Sequence, residues 1–122
     1  MNNNLELYIN NLKYFVELIE ELFDFLNEKK NGFNKTDKEH ARKLMKAIKS
    51  ELNNESKLIY KKRNKTDGTD YILNCYYNAI YGASIKINEK WNSNPDEYWS
   101  LELYDARLTL KDYISKMEKN FK

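Results

Sequence analysis

Residues 5–30 read LELYINNLKYFVELIEELFDFLNEKK, the longest uninterrupted apolar pattern in the chain. Advancing about 100° per residue, Leu5, Tyr8, Ile9, Leu12, Phe15, Val16, Ile19, Leu22, Phe23 and Leu26 gather on one face. That spacing is helical, and no part of it alternates as a strand would. A second stripe, Leu7, Tyr14, Leu18 and Phe25, lies beside the first and widens the apolar arc to roughly 220°, where a peripheral bundle helix needs little more than about 100°. Either two neighbouring helices cover the surplus, or it packs on another protein or on a second copy of the chain.

Working outward, the helix should stop at Asn31-Gly32, where glycine can adopt a left-handed C-cap. Thr36-Asp37-Lys38-Glu39 has the spacing of a capping box, so a second helix is expected from there to about Lys62. Residues 64–68, Asn-Lys-Thr-Asp-Gly, form the next connection, with Asp67 or Thr69 capping a third helix. Asn92-Ser93-Asn94 ends that helix. Asn94 as N-cap, Pro95 at the first helical position and Asp96 and Glu97 at the positive end of the dipole then open a fourth. Short connections put consecutive helices antiparallel. The expected fold is all-α, a single-domain antiparallel four-helix bundle over residues 1–122.

Its faces follow from the same periodicity. In the second helix Ala41, Leu44, Met45, Ile48, Leu52 and Ile59 should face inward. Lys35, Lys38, Arg42, Lys46 and Lys49 form a basic surface on its polar side, extended by Lys57, Lys61, Lys62, Arg63 and Lys65. From Asp37 to Lys65 there are ten basic and four acidic residues, an excess of +6, whereas Leu5 to Lys30 carries −3 and the whole chain only +2. The third helix is apolar almost all round and is expected to be the most buried, with Ile72, Tyr76, Ala79, Ile80, Ala83 and Ile87 on one side and Tyr77, Tyr81 and Ile85 on the other. Gly82, beside Ala79 and Ala83, suits close helix packing. Tyr77 and Tyr81, near Asn74, Asn78 and Asn88, form an aromatic patch that is either a satisfied core edge or a recognition surface. On the fourth helix Trp99, Leu103, Ala106, Leu110, Tyr113, Ile114, Met117 and Phe121 build the core stripe, and Leu101, Tyr104 and Leu108 a shorter second one. Antiparallel chain ends would allow the second stripes of the first and fourth helices to lie side by side as one surface for a partner or a homodimer.

Composition removes most chemistry. One cysteine, Cys75, and one histidine, His40, cannot form an intramolecular disulfide or furnish the ligands of a structural zinc site. The acidic residues of the first helix, Glu17, Glu20, Glu21, Asp24 and Glu28, lie opposite its apolar face, and Asp37-Lys38-Glu39-His40 is no di-metal ligand set. Asp67-Gly68-Thr69-Asp70 reads as a turn, since a calcium-loop register would place Arg63 and Lys65 at ligand positions. Cys75 sits in an apolar helix, where a thiol is inert. No glycine-rich phosphate loop occurs, so no catalytic residue, metal or cofactor is expected. No stretch approaches the roughly 18 apolar residues of a membrane span, and the Met1-Asn2-Asn3-Asn4 start lacks a signal peptide's basic and apolar regions. A reducing, cytoplasmic setting is the expectation, and the three Asn-x-Ser/Thr sequons carry no weight there.

Tyr76-Tyr77-Asn78-Ala79-Ile80-Tyr81-Gly82-Ala83-Ser84, behind a long amphipathic first helix, resembles the tyrosine- and alanine-rich helix of HEPN-type bundles from toxin–antitoxin and phage-defence systems. Ribonuclease members of that family carry an arginine closely followed by histidine. Arg63 and Arg107 have no such histidine, so the resemblance implies a binding role without the nuclease. Together these readings lead to a small non-catalytic bundle that binds a protein partner, in the manner of a bacterial or phage-encoded inhibitor, immunity protein or antitoxin. The alternative is nucleic-acid binding through the basic second helix, although a sequence pI near 8.5 falls below the values above about 9 of dedicated nucleic-acid domains.

Overall fold

A computed structural model describes residues 4–29, 32–66, 69–88 and 97–122. Among them are four helices and no strand: α1 (Asn4–Lys29), α2 (Lys35–Lys65), α3 (Tyr71–Asn88) and α4 (Glu97–Phe121). The fold is the expected all-α four-helix bundle. Residue pairs across each seam run in opposite directions. Tyr14 meets Glu51 and Phe25 meets His40 between α1 and α2; Arg63 meets Asn74 and Asn53 meets Ser84 between α2 and α3; Glu20 meets Arg107 and Glu6 meets Lys122 between α1 and α4. Each helix therefore packs on its two neighbours. The α1–α2 side is the loosest seam, α1 also touches α3 across the diagonal, and the backbones of α2 and α4 stay apart, with only long side chains reaching across.

Most of the expected inward face of α1 is buried, with Ile9, Leu12, Ile19 and Leu22 wholly enclosed, while Phe23 packs at the edge. Met45 and Leu52 of α2, Ile80 and Ile87 of α3 and Leu103 and Leu110 of α4 complete the core, with Leu44, Tyr113 and Phe121 at its margin. Side-chain burial stabilises such a bundle by about 1.5–3 kcal/mol for each large apolar residue. Trp99, placed in the core stripe from sequence, has a side chain outside the described residues.

Three caps differ from expectation. α2 begins two residues earlier than the Thr36 box: Asn34 is the N-cap, its Oδ1 accepting from Asp37 N–H at 2.8 Å while Asn34 N–H donates to Asp37 Oδ2 at 3.3 Å. The reason is chemical, because asparagine caps better than threonine and aspartate completes the reciprocal bond. Asn34→Ala should therefore cost about 1 kcal/mol and Thr36→Ala almost nothing, as urea unfolding of the two variants would show. α3 is capped by Asp70, whose Oδ1 accepts from Leu73 N–H at 3.0 Å, rather than by Thr69; Asp67 lies outside the described residues. At the end of α1, Gly32 donates its N–H to Lys29 at 2.9 Å, but its backbone does not take the left-handed conformation. Among the described residues nothing lies within 4 Å of a Cβ added there. Gly32→Ala should stabilise the fold by about 0.4–1 kcal/mol through the unfolded chain, read as a raised midpoint in thermal unfolding. The Asn92–Asp96 signals opening the fourth helix lie outside the described residues.

The close packing expected at Gly82 is present, since an added Cβ would sit 3.2 Å from Thr109 Cγ2 of α4. α3 is not buried all round. Tyr71, Tyr81 and Ile85 face solvent, because an outer helix of a four-helix bundle has neighbours on two sides only.

Candidate interaction surfaces

The loose α1–α2 seam opens into a cleft of about 320 Å³ lined by Asn11, Tyr14, Phe15, Glu51, Asn54, Glu55 and Leu58. Next to Asn11 and Glu55, Tyr76 of α3 is wholly buried and stacks on Tyr8 of α1, with ring centroids 4.3 Å apart and planes 12° from parallel. The Tyr76 hydroxyl donates to Glu55 and accepts from Asn11 Nδ2 at 3.3 Å. At the rim, the Tyr14 hydroxyl donates to Glu51 Oε1 at 3.0 Å. Both phenols hold their protons more tightly than a free tyrosine. For Tyr76 burial is the main cause, followed by the bond to Glu55; for Tyr14 the bond to Glu51 leads. Tyr8 is shifted the same way by burial. Tyr14 and Tyr76 are donors that fix carboxylates.

The second stripe of α1 divides along its length. Leu18 and Phe25 pack partly against the core, Phe25 lying edge-on to Phe33 and His40, while Leu7 and Tyr14 are exposed on the α2 side. Leu101, Tyr104 and Leu108 of α4 are 61%, 47% and 47% exposed, on the face opposite the wholly buried Leu103, Ala106 and Leu110. The two stripes do not form one surface. Between them runs the α1–α4 seam, a charged ribbon in which Glu20 bonds Arg107 Nε at 3.0 Å and lies 3.5 Å from Lys111, Lys13 faces Glu118, and Lys122 reaches Glu6 at 2.7 Å. The Lys122 ammonium and its hydrogen bond hold the Glu6 carboxyl below its usual range. Handedness explains the separation, because α1 turns its surplus stripe toward α2 and its charged edge toward α4.

The basic and aromatic residues, by contrast, come together on the α2–α3 face. Asn53 accepts from the Ser84 hydroxyl at 2.6 Å, Arg63 Nε donates to Asn74 Oδ1 at 3.0 Å, and Tyr60 meets Tyr77 at 6.0 Å, so this flank of α2 lies against α3. Tyr77 and Tyr81 stack with centroids 5.6 Å apart and planes 13° from parallel, and the Arg63 guanidinium lies 5.3 Å from the Tyr77 centroid. Burial is the main reason that the Tyr77 phenol is raised. At helical spacing Arg42, Lys46, Lys49 and Lys57 share this flank with Asn53 and Tyr60. Lys35 and Lys38 are exposed near the start of the same helix, whereas Lys49 turns partly inward: burial lowers its ammonium pKa and the buried Glu102 of α4 opposes that.

No family model, curated protein or solved structure matches this chain. The likeness of residues 76–84 to a HEPN helix has no family match beside it, and the reading of function rests on the surfaces themselves. Among the described residues no group of three His, Cys, Asp or Glu side chains could hold a metal ion, and no helix is long and apolar enough to cross a membrane. Cys75 is half-buried, and burial pushes its thiol pKa up.

Sequence reasoning missed Tyr60, Leu58 and the Glu55–Tyr76–Asn11 chain. Tyr60 and Leu58 sit on the polar side of their own helix, and only the register with α3 and α1 gives each its neighbours. A signal existed for Tyr76, a polar-tipped aromatic on a core face, which needs a hydrogen-bond partner when buried.

Proposed function

We propose that the chain is a non-catalytic binding protein whose outer α4 stripe, Leu101, Tyr104 and Leu108, docks on a protein partner. The observation that supports this is the stripe's position: three large apolar side chains, each about half exposed or more, aligned opposite the core where no helix of the bundle can cover them. Scattered exposed leucines are ordinary, but an aligned stripe is the pattern of a helix face that packs on something else. Each such leucine, already about half buried, gains roughly 1 kcal/mol more when docking covers the rest. The small size and the segregation of charge between α1 and α2 suit an inhibitor, immunity protein or antitoxin of bacterial or phage origin acting in the cytoplasm.

A photo-crosslinking residue at position 104, expressed in the native host, tests the proposal. One dominant protein adduct, lost when Leu101 and Leu108 are both changed to glutamate, is the expected result. An adduct of twice the chain's own mass identifies a homodimer. A stripe that crosslinks to nothing above background refutes it.

A further inference from the structure

We infer that the α2–α3 face is a binding surface for single-stranded nucleic acid, separate from the α4 stripe. Between positions 42 and 63 the two carboxylates of α2 lie on the flank away from α3. Glu51 and Glu55 line the cleft toward α1, where tyrosines bond to both. From position 42 to position 63, the flank toward α3 carries Arg42, Lys46, Lys57 and Arg63 and no acidic residue, with Lys49 turned partly inward toward Glu102, and α3 itself has no acidic residue between positions 71 and 88. Over positions 42–63 this face is therefore more uniformly basic than the chain's overall +2 balance indicates.

The aromatic end of the same track supplies what a phosphate-binding helix alone lacks. Tyr60 and Tyr81 are 49% and 48% exposed, and both neighbour the ring of Tyr77, on which Arg63 rests while Asn74 holds its Nε. Bases stack on such rings whatever their sequence, because every base has a π-face, and the flanking cations follow the backbone. Positions 42–63 of a helix extend over about 30 Å at about 1.5 Å per residue, enough for a short single strand. A duplex presents its bases edge-on in grooves and leaves the tyrosine faces unused. An acidic polypeptide would satisfy the cations but has no flat rings to occupy Tyr60 and Tyr81.

Fluorescence anisotropy with labelled oligouridine and oligothymidine of about 15 nucleotides, a duplex of equal length, and polyglutamate tests this with the intact chain. Both single strands should bind near 50 mM salt and weaken steeply toward about 200 mM. Tighter binding of oligouridine would mark RNA as the natural ligand, and equal binding would leave the shared single-strand chemistry as the specificity. Tyr81→Ala and Tyr60→Ala should each weaken binding by about five- to a hundredfold with thermal unfolding unchanged, since both rings are half exposed. Lys46→Gln and Lys57→Gln should each lower the slope of log affinity against log salt by about 0.7. Leu108→Glu should leave oligonucleotide binding intact, which separates this surface from the protein-docking stripe. Absence of binding near 50 mM salt, equal affinity for duplex, indifference to both tyrosine changes, or polyglutamate binding as tightly as the oligonucleotides would each overturn the inference.

Discussion

Tyr76→Ala should destabilise the bundle by about 3–5 kcal/mol, the loss typical of a large aromatic removed from a core. The ring is wholly buried and stacked on Tyr8, and its hydroxyl links Asn11 of α1 to Glu55 of α2, so one side chain joins three helices. Truncation would leave a cavity in the core and remove the donor to Glu55. Tyr76→Phe keeps the stack and should cost about 1.5–3 kcal/mol, the penalty of a lost hydrogen bond to a carboxylate. Urea denaturation of both variants separates packing from hydrogen bonding, and equal losses would show that the ring contributes little beyond its hydroxyl. The same group contributes to an alkaline limit, as do the other raised tyrosines, Tyr8, Tyr14 and Tyr77. In the folded state the Tyr76 proton is held beyond the ordinary tyrosine value of 10.0, so above that pH the unfolded chain binds fewer protons than the folded one. The contribution is complete below pH about 10 and declines as pH rises further. Stability measured from neutral to strongly alkaline pH should be lost over that range, and less steeply in Tyr76→Phe.

The second large effect concerns the diagonal between α2 and α4. Glu102 is 5% exposed, and its charge raises the proton affinity of Lys49, whose own burial acts in the other direction. Lys49→Met should cost about 1–3 kcal/mol, less than a fully enclosed pair because the lysine is only part-buried. Glu102→Met in the same chain should recover most of that loss, since apolar residues of similar volume often replace buried charge without penalty. A double-mutant cycle reads the coupling directly, and strict additivity would mean that the two charges do not act on each other.

How much of this was legible beforehand varies by element. The core faces of α1, α2 and α4 were readable from 3.6-residue periodicity because a helix's inward stripe depends on its own sequence alone. Thr36 and Glu39 have the spacing of a capping box, yet Asn34 and Asp37, two residues upstream, make both reciprocal bonds and start the helix. α3 is apolar almost all round, yet Tyr71, Tyr81 and Ile85 face solvent. Apolar composition reports what a helix could bury, while the number of neighbours decides what it does bury.

The surfaces show the same division. Basic residues on α2 and tyrosines on α3 were visible separately as local patterns, and so were the second stripes of α1 and α4. Sequence by itself determined helices, their apolar faces, the unequal charge of α1 and α2, and the scarcity of metal- and disulfide-forming side chains, all of which follow from residue identity and spacing within a helix. Only the tertiary structure decided that the basic flank and the tyrosines share one face while the two apolar stripes lie apart. Which flank of a helix meets which neighbour depends on bundle handedness and interhelical register, and those arise from contacts between residues far apart in the chain, which no single helix encodes.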